Sequence, residues 1–297
     1  MASTQHNSYS PGHALPQVQH HEWRTAENSA AHLIPHLESS ASQNPHLKLL
    51  DVGAGSGTIT ASLAKYMPEG QVTATDISDD ILQRAQFHAA KEGVKNISYQ
   101  RASVYELPFA ESTFDVTHAH QVLTHLDAPV DAIREMLRVT KPGGIVSLRE
   151  ADLRMWCFWP EVPALQRFHE LNLEQHISNG ASGTAGRELL SWALKAGAKR
   201  ENVEMSFGTW CFGSDRDRKP WSEYIAQCRS SLAANIFCLG DSMVERLQSG
   251  PVWRKALENG TVKREEVEEM VDAWKTWAAT DDAVLGIING EAIIRKA

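Results

Sequence analysis

Two aspartates and three glycines are the residues whose types and spacing most clearly indicate chemistry. The glycines follow the first aspartate at alternate positions, as Asp51, Gly53, Gly55 and Gly57. The second aspartate, Asp76, follows the loop by about 20 residues, at a strand end where a carboxylate can accept both hydroxyls of a ribose. A dinucleotide loop has its third glycine one residue later, as G-x-G-x-x-G, and seats a pyrophosphate on the next helix. The early third glycine therefore favours a nucleoside ligand without a pyrophosphate.

These side chains must lie at the carboxyl ends of parallel strands, because ligands of open α/β sheets bind at that edge. Apolar runs and amphipathic segments alternate through the first half of the chain, which is typical of parallel strands joined by helices. The pattern predicts strands over 47–52, 71–76, 97–102, 113–119 and 145–150, with helices over 57–66, 79–92 and 129–140. Before them we expect a helix over 23–37, with Pro35 weakening its last turn.

The composition changes after residue 150, where eight of the nine tryptophans lie. Further helices interrupt what would otherwise be the closing half of the sheet. The pattern predicts helices over 161–178 and 186–196, a strand over 202–212, a helical stretch from 219 to 280 and a strand over 283–295. The last two strands would form an antiparallel pair at the sheet edge.

Charge and composition exclude several classes of partner. The net charge of −8 over 297 residues disfavours a nucleic-acid substrate, because phosphate binding depends on clustered Lys and Arg. The sequence has no apolar run near the roughly 18 residues of a membrane span, so we expect a cytoplasmic protein without a membrane partner. The four cysteines include no C-x-x-C pair and predict reduced thiols. Seven of the thirteen histidines lie in the first 46 residues without metal-ligand spacing, which predicts a solvated tail and no metal.

Five blocks of sequence, in this order and spacing, resemble the class I S-adenosylmethionine (SAM)-dependent methyltransferases, in the broad group that includes the ubiquinone/menaquinone-biosynthesis type. The blocks are 50–57, 76–78, 107–109 with 114–116, 118–126 and 138–144. The resemblance extends to 24–29, 149–152 and 209–212, and so covers most of the chain. It implies an α/β fold with a Rossmann-like, doubly wound sheet of seven strands, an antiparallel last strand, and inserted helices in the C-terminal half.

The resemblance also implies which residues hold the cofactor. Asp51 would bind the ammonium of SAM or else cap the glycine loop, Asp76 would hold the ribose, and Ile77 would pack on adenine. Related proteins usually have an aspartate toward the adenine amino group where this chain has Ser103, so we expect weaker or rearranged adenine binding. The other expected contacts are Gly53, Ala54, Gly55, Gly57, Thr58, Ser78, Ala102, Val104, Ala119, His120 and Gln121. Tyr9, Arg24 and Asn28 would contact the methionine end from a lid, or else belong to a surface helix that packs on the core.

Three residues are candidates for the catalytic step. His120 and His125 are the candidates for a general base, because imidazole titrates near neutral pH and the resemblance places this strand end beside the transferred methyl. Asp152 is a candidate for orienting the methyl acceptor. Alternatively, each histidine is a buried residue that contacts the cofactor or a carbonyl, since alignment alone can supply much of the rate.

Aromatic residues of the second half are the candidates for an acceptor pocket, because a flat organic molecule stacks on such rings. The candidates are Trp156, Phe158, Trp159, Trp210, Phe212 and Trp221. Core packing is the alternative for more than half of them, and we expect it for Trp274 and Trp277. Arg149, Arg154 and Arg187 would bind an acceptor carboxylate or form surface ion pairs.

We therefore expect three regions. They are an N-terminal tail and lid helix (1–45), a SAM-binding core (46–152), and the rest of the sheet with a helical cap that forms the acceptor pocket (153–297). The expected activity moves a methyl group from SAM to an O, N, S or activated C atom of a small organic molecule, as in secondary metabolism, by a monomer or homodimer. The alternatives are a non-methylating rearrangement, a non-catalytic SAM-binding regulator, and a nicotinamide-dependent oxidoreductase, against which the glycine spacing argues.

Overall fold

The computed structural model of the chain describes residues 21–214 and 239–297. The predictions for the tail, for Tyr9, for Trp221 and for the start of the helical stretch at 219–238 lie outside the described residues. Within the described residues, none of the helices has the length and apolar character that crossing a membrane requires.

Seven strands form one mixed sheet in the order β3-β2-β1-β4-β5-β7-β6. Strands β1 to β5 are parallel to one another, while β7 is antiparallel to both β5 and β6. The predicted α/β fold class is therefore confirmed. The strands are β1 Lys48–Val52, β2 Gln71–Asp76, β3 Ile97–Arg101, β4 Phe114–His120, β5 Thr140–Trp159, β6 Val203–Phe212 and β7 Val284–Arg295.

Ten α-helices accompany the sheet in the described residues. They are α1 Ala26–Ser29, α2 Ile34–Gln43, α3 Thr58–Lys65, α4 Asp79–Lys91, α5 Pro129–Val139, α6 Pro163–Ser178, α7 Ala185–Lys195, α8 Leu239–Ser249, α9 Pro251–Glu258 and α10 Arg264–Ala279. They cover both faces of the sheet: Leu49 and Leu50 of β1 are both fully buried, each in a different apolar cluster. Successive residues of a strand point to opposite faces, so this arrangement needs a helical layer on each side.

The predicted helix over 23–37 is wrong, because the chain breaks it into α1 and α2. Pro35 does not weaken a last turn but lies in the first turn of α2, at its second residue. Proline is well tolerated there, since the first backbone N–H groups of a helix have no intrahelical partner.

The fifth strand is also longer than predicted. The pattern indicates 145–150, whereas β5 extends to Trp159 because its second part pairs with the first part of β7, from Trp156 opposite Ile287 to Trp159 opposite Val284. The expected boundary between 152 and 153 thus falls inside one strand.

Candidate functional site

A cavity of about 280 Å³ opens beyond the carboxyl ends of β1, β2 and β4. One half is lined by the glycine loop and the ends of these strands. The other half is lined by side chains of β5, β6, α6 and α8. The cavity therefore lies where open α/β sheets bind ligands, and the helices inserted after residue 160 enclose it.

The glycine loop that connects β1 to α3 has a backbone only glycine adopts easily. Gly53 has φ +68°, and a Cβ built on it would lie 2.5 Å from Val122 Cγ2. Gly57 caps α3 with φ +75°, and its Cβ would lie 2.5 Å from Ala85 Cβ. Side chains at these positions would strain the backbone and push α4 and the loop after β4 away.

Asp51 and Asp76 both line the cavity, at the ends of neighbouring strands. Asp51 is buried and accepts a 2.5 Å hydrogen bond from Thr60 Oγ1. Burial raises the pKa of Asp51 to about 7; the Thr60 bond lowers it, and the charge of Asp76 raises it further. Asp76 accepts hydrogen bonds from the N–H of Gly55 at 3.0 Å and of Ser78 at 3.3 Å. The second carboxylate therefore holds the glycine loop in place as well as facing the cavity.

The buried carboxylate of Glu150 shapes the turn after β4. It accepts the backbone N–H groups of Val122, Leu123 and Thr124 at 2.9, 2.8 and 3.3 Å. Burial raises the pKa of Glu150 to about 7, against the lowering effect of these three bonds. Val122 and Thr124 line the cavity, so Glu150 fixes part of its wall without lining it.

The two candidate bases both line the cavity. Arg149 Nη1 lies 3.1 Å from His120 Nε2, and the His120 ring packs 5.6 Å from that of Trp210. Burial, followed by the charges of Arg24 and Arg149, lowers the pKa of His120 well below its usual value. Burial also lowers the pKa of His125 to about 3. Both rings are neutral at pH 7 and are weaker bases than an ordinary histidine.

The half of the cavity farther from the glycine loop has aromatic walls with polar groups among them. Of the six predicted aromatic residues, Trp156, Trp210 and Phe212 line it. Phe158 packs in the core, while Trp159 is 56% exposed and donates from Nε1 to Asp282. The expected core residues Trp274 and Trp277 are fully buried.

Most of the expected cofactor contacts come together around this cavity. The predicted site residues that line it are Arg24, Asp51, Gly53, Ala54, Gly55, Thr58, Asp76, Ile77, Ala102, Val104, His120, Gln121 and His125. In the described part of the chain, six predicted residues do not line it: Asn28, Gly57, Ser78, Ser103, Ala119 and Asp152. Gly57 packs against Ala85 of α4, and Ala119 is fully buried within β4.

Asp152 does not line the cavity. It is fully buried, and Arg187 holds both its carboxylate oxygens in a bidentate ion pair. Its neighbours Ala151 and Leu153 line the cavity, so strand alternation directs Asp152 to the opposite face. The prediction that it orients the acceptor disagrees with this geometry.

Three other predicted contacts are used by the chain itself. Asn28 accepts the Thr25 N–H and donates to the Trp23 carbonyl, which shapes the start of α1. Ser78 accepts the Ile81 N–H as the N-cap of α4. Ser103 accepts the N–H of Tyr105, two residues ahead, at 3.3 Å. Short hydroxyl and amide side chains often bond locally in this way, and their type alone does not separate such a cap from a ligand contact.

Sequence reasoning missed the polar residues that α6 and α8 place in the cavity. Asn172 and His176 of α6 line it, as does Arg246 of α8. Burial lowers the pKa of His176 to about 4, and the charge of Arg246 lowers it further. The spacing of His169, Asn172 and His176 puts them on one helix face. This polar face is the feature of the sequence from which these cavity residues could have been predicted.

The histidines near the N-terminus are not all solvated. The side chain of His32 is 6% exposed and bonds Ser147 Oγ at 3.0 Å, and His21 lines the cavity. The expectation of a solvated tail is therefore wrong for these two. Among the residues that the structure describes, no group of three or more His, Cys, Asp or Glu side chains could hold a metal ion.

Residues 43–203 match a family model described as a methyltransferase domain. An uncharacterised methyltransferase of Schizosaccharomyces pombe is 33% identical over 93% of this chain and 92% of its own length. The probable methyltransferase ltbC of Aspergillus luteorubrus is 31% identical over the full length of both chains. The O-methyltransferase resE of Aspergillus sclerotiorum is 34% identical, over 48% of this chain and 52% of its own.

Solved structures share the fold at low sequence identity. A putative methyltransferase from Bacillus halodurans is 17% identical, with a TM-score of 0.50, and the match covers 89% of this chain and 99% of that one. Phosphoethanolamine N-methyltransferase 2 of Haemonchus contortus, solved with S-adenosylhomocysteine, is 15% identical with a TM-score of 0.50. That match covers 95% of this chain and 58% of the other.

Proposed function

Because this chain belongs to the methyltransferase-domain family, we propose that it transfers a methyl group from SAM to a nucleophilic atom of a small organic molecule. The main support is that Asp51 and Asp76, at the ends of adjacent strands, face the same cavity as an aromatic wall. One half of the cavity thus suits a nucleoside with a cationic tail, and the other half suits its reaction partner.

The residues around the glycine loop fit SAM. Gly53 and Gly57 remove the side chains that would block a close approach of the backbone. The carboxylate of Asp76 is placed to accept ribose hydroxyls, and the buried Asp51 can balance the charge of the amino group. Ile77 and Val104 provide apolar surface in the same half for the adenine ring.

SAM supplies a methyl group that is already activated on a sulfonium. The protein has to align the acceptor with it and keep out water, which accounts for much of the rate in such reactions. Trp156 and Trp210 supply flat apolar walls for alignment, while Asn172 and His176 supply polar contacts. When the acceptor is a hydroxyl, its proton is released to solvent as the methyl is transferred, because the lowered pKa values of His120 and His125 make both rings poor bases.

The choice of acceptor atom rests on one relative. One relative is named an O-methyltransferase and matches about half of its own length here. Oxygen is therefore the first acceptor atom to test, before nitrogen, sulfur or activated carbon. A phenol panel that ranges from one ring to three would measure how large a molecule the aromatic half accepts.

The test combines calorimetry with turnover. Wild-type protein should bind SAM, and formation of S-adenosylhomocysteine should depend on an added acceptor. Asp76→Asn should weaken SAM binding by about tenfold or more, since it removes a charged hydrogen-bond acceptor. Asp79→Asn is the matched control, because Asp79 is exposed, three residues away, and paired with Arg101 on the surface.

Three results would contradict the proposal or redirect it. Absence of saturable SAM binding would overturn it. Binding without turnover across the acceptor panel would favour a regulatory protein. Conversion of a substrate without release of S-adenosylhomocysteine would favour a rearrangement in which SAM is not consumed.

A further inference from the structure

A row of polar side chains, buried except at its Ser206 end, crosses four strands beside the cavity. His120 of β4, Arg149 of β5, Glu291 of β7 and Ser206 of β6 are directly paired in the sheet. Arg149 Nε donates to Glu291 Oε1 over 3.0 Å, and Ser206 Oγ donates to Glu291 Oε2 over 2.8 Å. Arg149 is only 2% exposed, so its hydrogen bonds are made away from water. The row therefore ends, on the cavity side, at the His120 ring.

Arg149 determines which nitrogen of His120 carries the proton. A guanidinium has five N–H donors and no acceptor, so His120 Nε2, 3.1 Å from Arg149 Nη1, must be the accepting nitrogen. A neutral imidazole then carries its one proton on Nδ1. We propose that Arg149, held by Glu291, is a positioning residue that fixes His120 as a neutral Nδ1–H donor beside the ligand and prevents it from acting as a base.

The surroundings of His120 oppose a second proton on the ring. Four nearby groups add to the effect of burial in lowering its pKa: the cations Arg24 and Arg149, and the imidazoles of His118 and His32. On the β6 side the ring packs against Trp210, which offers no charge. The one lone pair of the neutral ring is taken by Arg149, so a proton from an acceptor would first have to displace a buried arginine.

Gly208 leaves room for the carboxylate of Glu291, which holds Arg149. A Cβ built on Gly208 would lie 2.1 Å from Glu291 Oε1 and 2.8 Å from its Cδ. Any side chain there would move the carboxylate that holds Arg149. Packing therefore explains why the residue two positions before Trp210 is a glycine, although glycine is otherwise unfavourable within a strand.

Nitrogen NMR of histidine-labelled protein tests the tautomer directly. The His120 signals, assigned by their loss in His120→Asn, should show a protonated Nδ1 and an unprotonated Nε2 that do not titrate between pH 6 and 8. This readout needs neither cofactor nor turnover, so its failure is distinguishable from failure of the proposed function. A proton on Nε2, or titration of His120 in that range, would overturn the inference.

Variants of the Arg149–Glu291 ion pair test whether this pair determines the tautomer of His120. Arg149 and Glu291 should be replaced together, as Arg149→Met with Glu291→Gln, because one partner alone would leave a buried unpaired charge. His120 should then populate both tautomers, whereas Arg149→Lys should preserve the Nδ1–H form in part. Asp152→Asn with Arg187→Met is the control, since it removes another ion pair of β5, that of the buried Asp152 with the exposed Arg187 of α7, and should leave the His120 signals unchanged. An unchanged tautomer in the double variant would refute the assignment. If the double variant does not fold, Gly208→Ala, whose added Cβ displaces the Glu291 carboxylate that holds Arg149, is the second variant, and an unchanged tautomer there would refute the assignment as well.

A kinetic test rests on the proposed function. The amide nitrogen of asparagine lies near the position of histidine Nδ1, so His120→Asn should lose less of kcat/KM than His120→Ala. His120→Ala should lose about three- to tenfold, the effect of one hydrogen bond. If both variants instead lost kcat/KM equally and by a large factor, and the pH profile of kcat/KM lost its titration near neutral pH, His120 would be shown to act as a base.

Discussion

The raised pKa of Asp51 predicts that SAM affinity depends on pH. Asp51 is 3% exposed and its pKa is raised to about 7, chiefly by burial. Binding of a cationic amino group needs the ionised carboxylate, so the unliganded protein must lose a proton before or during binding. Affinity should therefore rise as the pH rises toward and past 7.

The expected change follows from the ionised fraction. With a pKa of about 7, about 9% of Asp51 is ionised at pH 6.0 and about 76% at pH 7.5. Affinity scales with the competent fraction, so the Kd for SAM should be about eightfold higher at pH 6.0 than at pH 7.5. The range stops at pH 7.5 because an α-amino group itself deprotonates near pH 8.

Isothermal titration calorimetry in two buffers of different ionisation enthalpy measures both the Kd and the protons released. At pH 6.0, binding should release about 0.9 proton for each SAM bound, which is the un-ionised fraction of Asp51. Asp51→Asn should bind about tenfold to 150-fold more weakly at pH 7.5, the usual loss for a hydrogen bond to a charged group, and should release no proton.

Thr60→Val is the control for the assigned group. The Thr60 hydroxyl lowers the pKa of Asp51, so its removal should move the midpoint of the pH dependence upward while keeping the slope. A wild-type Kd that is constant from pH 6.0 to 7.5 would refute the reasoning. An Asp51→Asn protein with the same pH dependence as wild type would assign the proton to another group.

Three further predictions concern stability and the residues outside the cavity. Gly57→Ala should lower the free energy of unfolding in urea by about 1 to 3 kcal/mol more than Gly93→Ala, because both glycines have positive φ but only Gly57 has a neighbour within 4 Å of the added Cβ; equal losses would contradict the packing argument. Asp152→Asn with Arg187→Met should keep kcat/KM within about threefold, the effect of less than one hydrogen bond, and a much larger loss in turnover assays would return Asp152 to the acceptor site. Burial raises the pKa of Glu150 from 4.5 to about 7, so between these pH values the folded protein keeps a proton that the unfolded chain has released. Stability should therefore fall as the pH rises through that range. The urea midpoint, measured at pH 5, 6 and 7.5, should fall less in Glu150→Gln than in wild type, and an identical fall would assign the effect to another group.

The parts of the fold set by local patterns could be predicted from the sequence. All strands except β5 begin and end within one residue of the expected bounds. These bounds are predictable because the apolar run of each strand and the residues that end it are adjacent in the sequence. The glycine loop was predictable for the same reason, since the positive φ of Gly53 and Gly57 is a local requirement. The second half of β5 depends on pairing with residues more than 120 positions later, which no local pattern encodes.

The site was less predictable wherever function depends on facing direction or distant partners. Asp152 lies one residue from two cavity-lining residues, and only the strand register shows that it points away. Arg149 meets Glu291 from 142 positions away, so sequence offered no reason to connect them. Residue type suggested the histidine at position 120, but its tautomer depends on those partners.

The continuity of β5 restricts how this enzyme could acquire new substrates. The strand carries Arg149 and Glu150 in its first part and wall residues Leu153 and Trp156 in its second. An insertion or deletion of one residue between them would turn every later side chain to the other side of the sheet. Evolution toward a differently shaped substrate would have to proceed by point replacements or through α6 and α8, where length can change without reversing the strand.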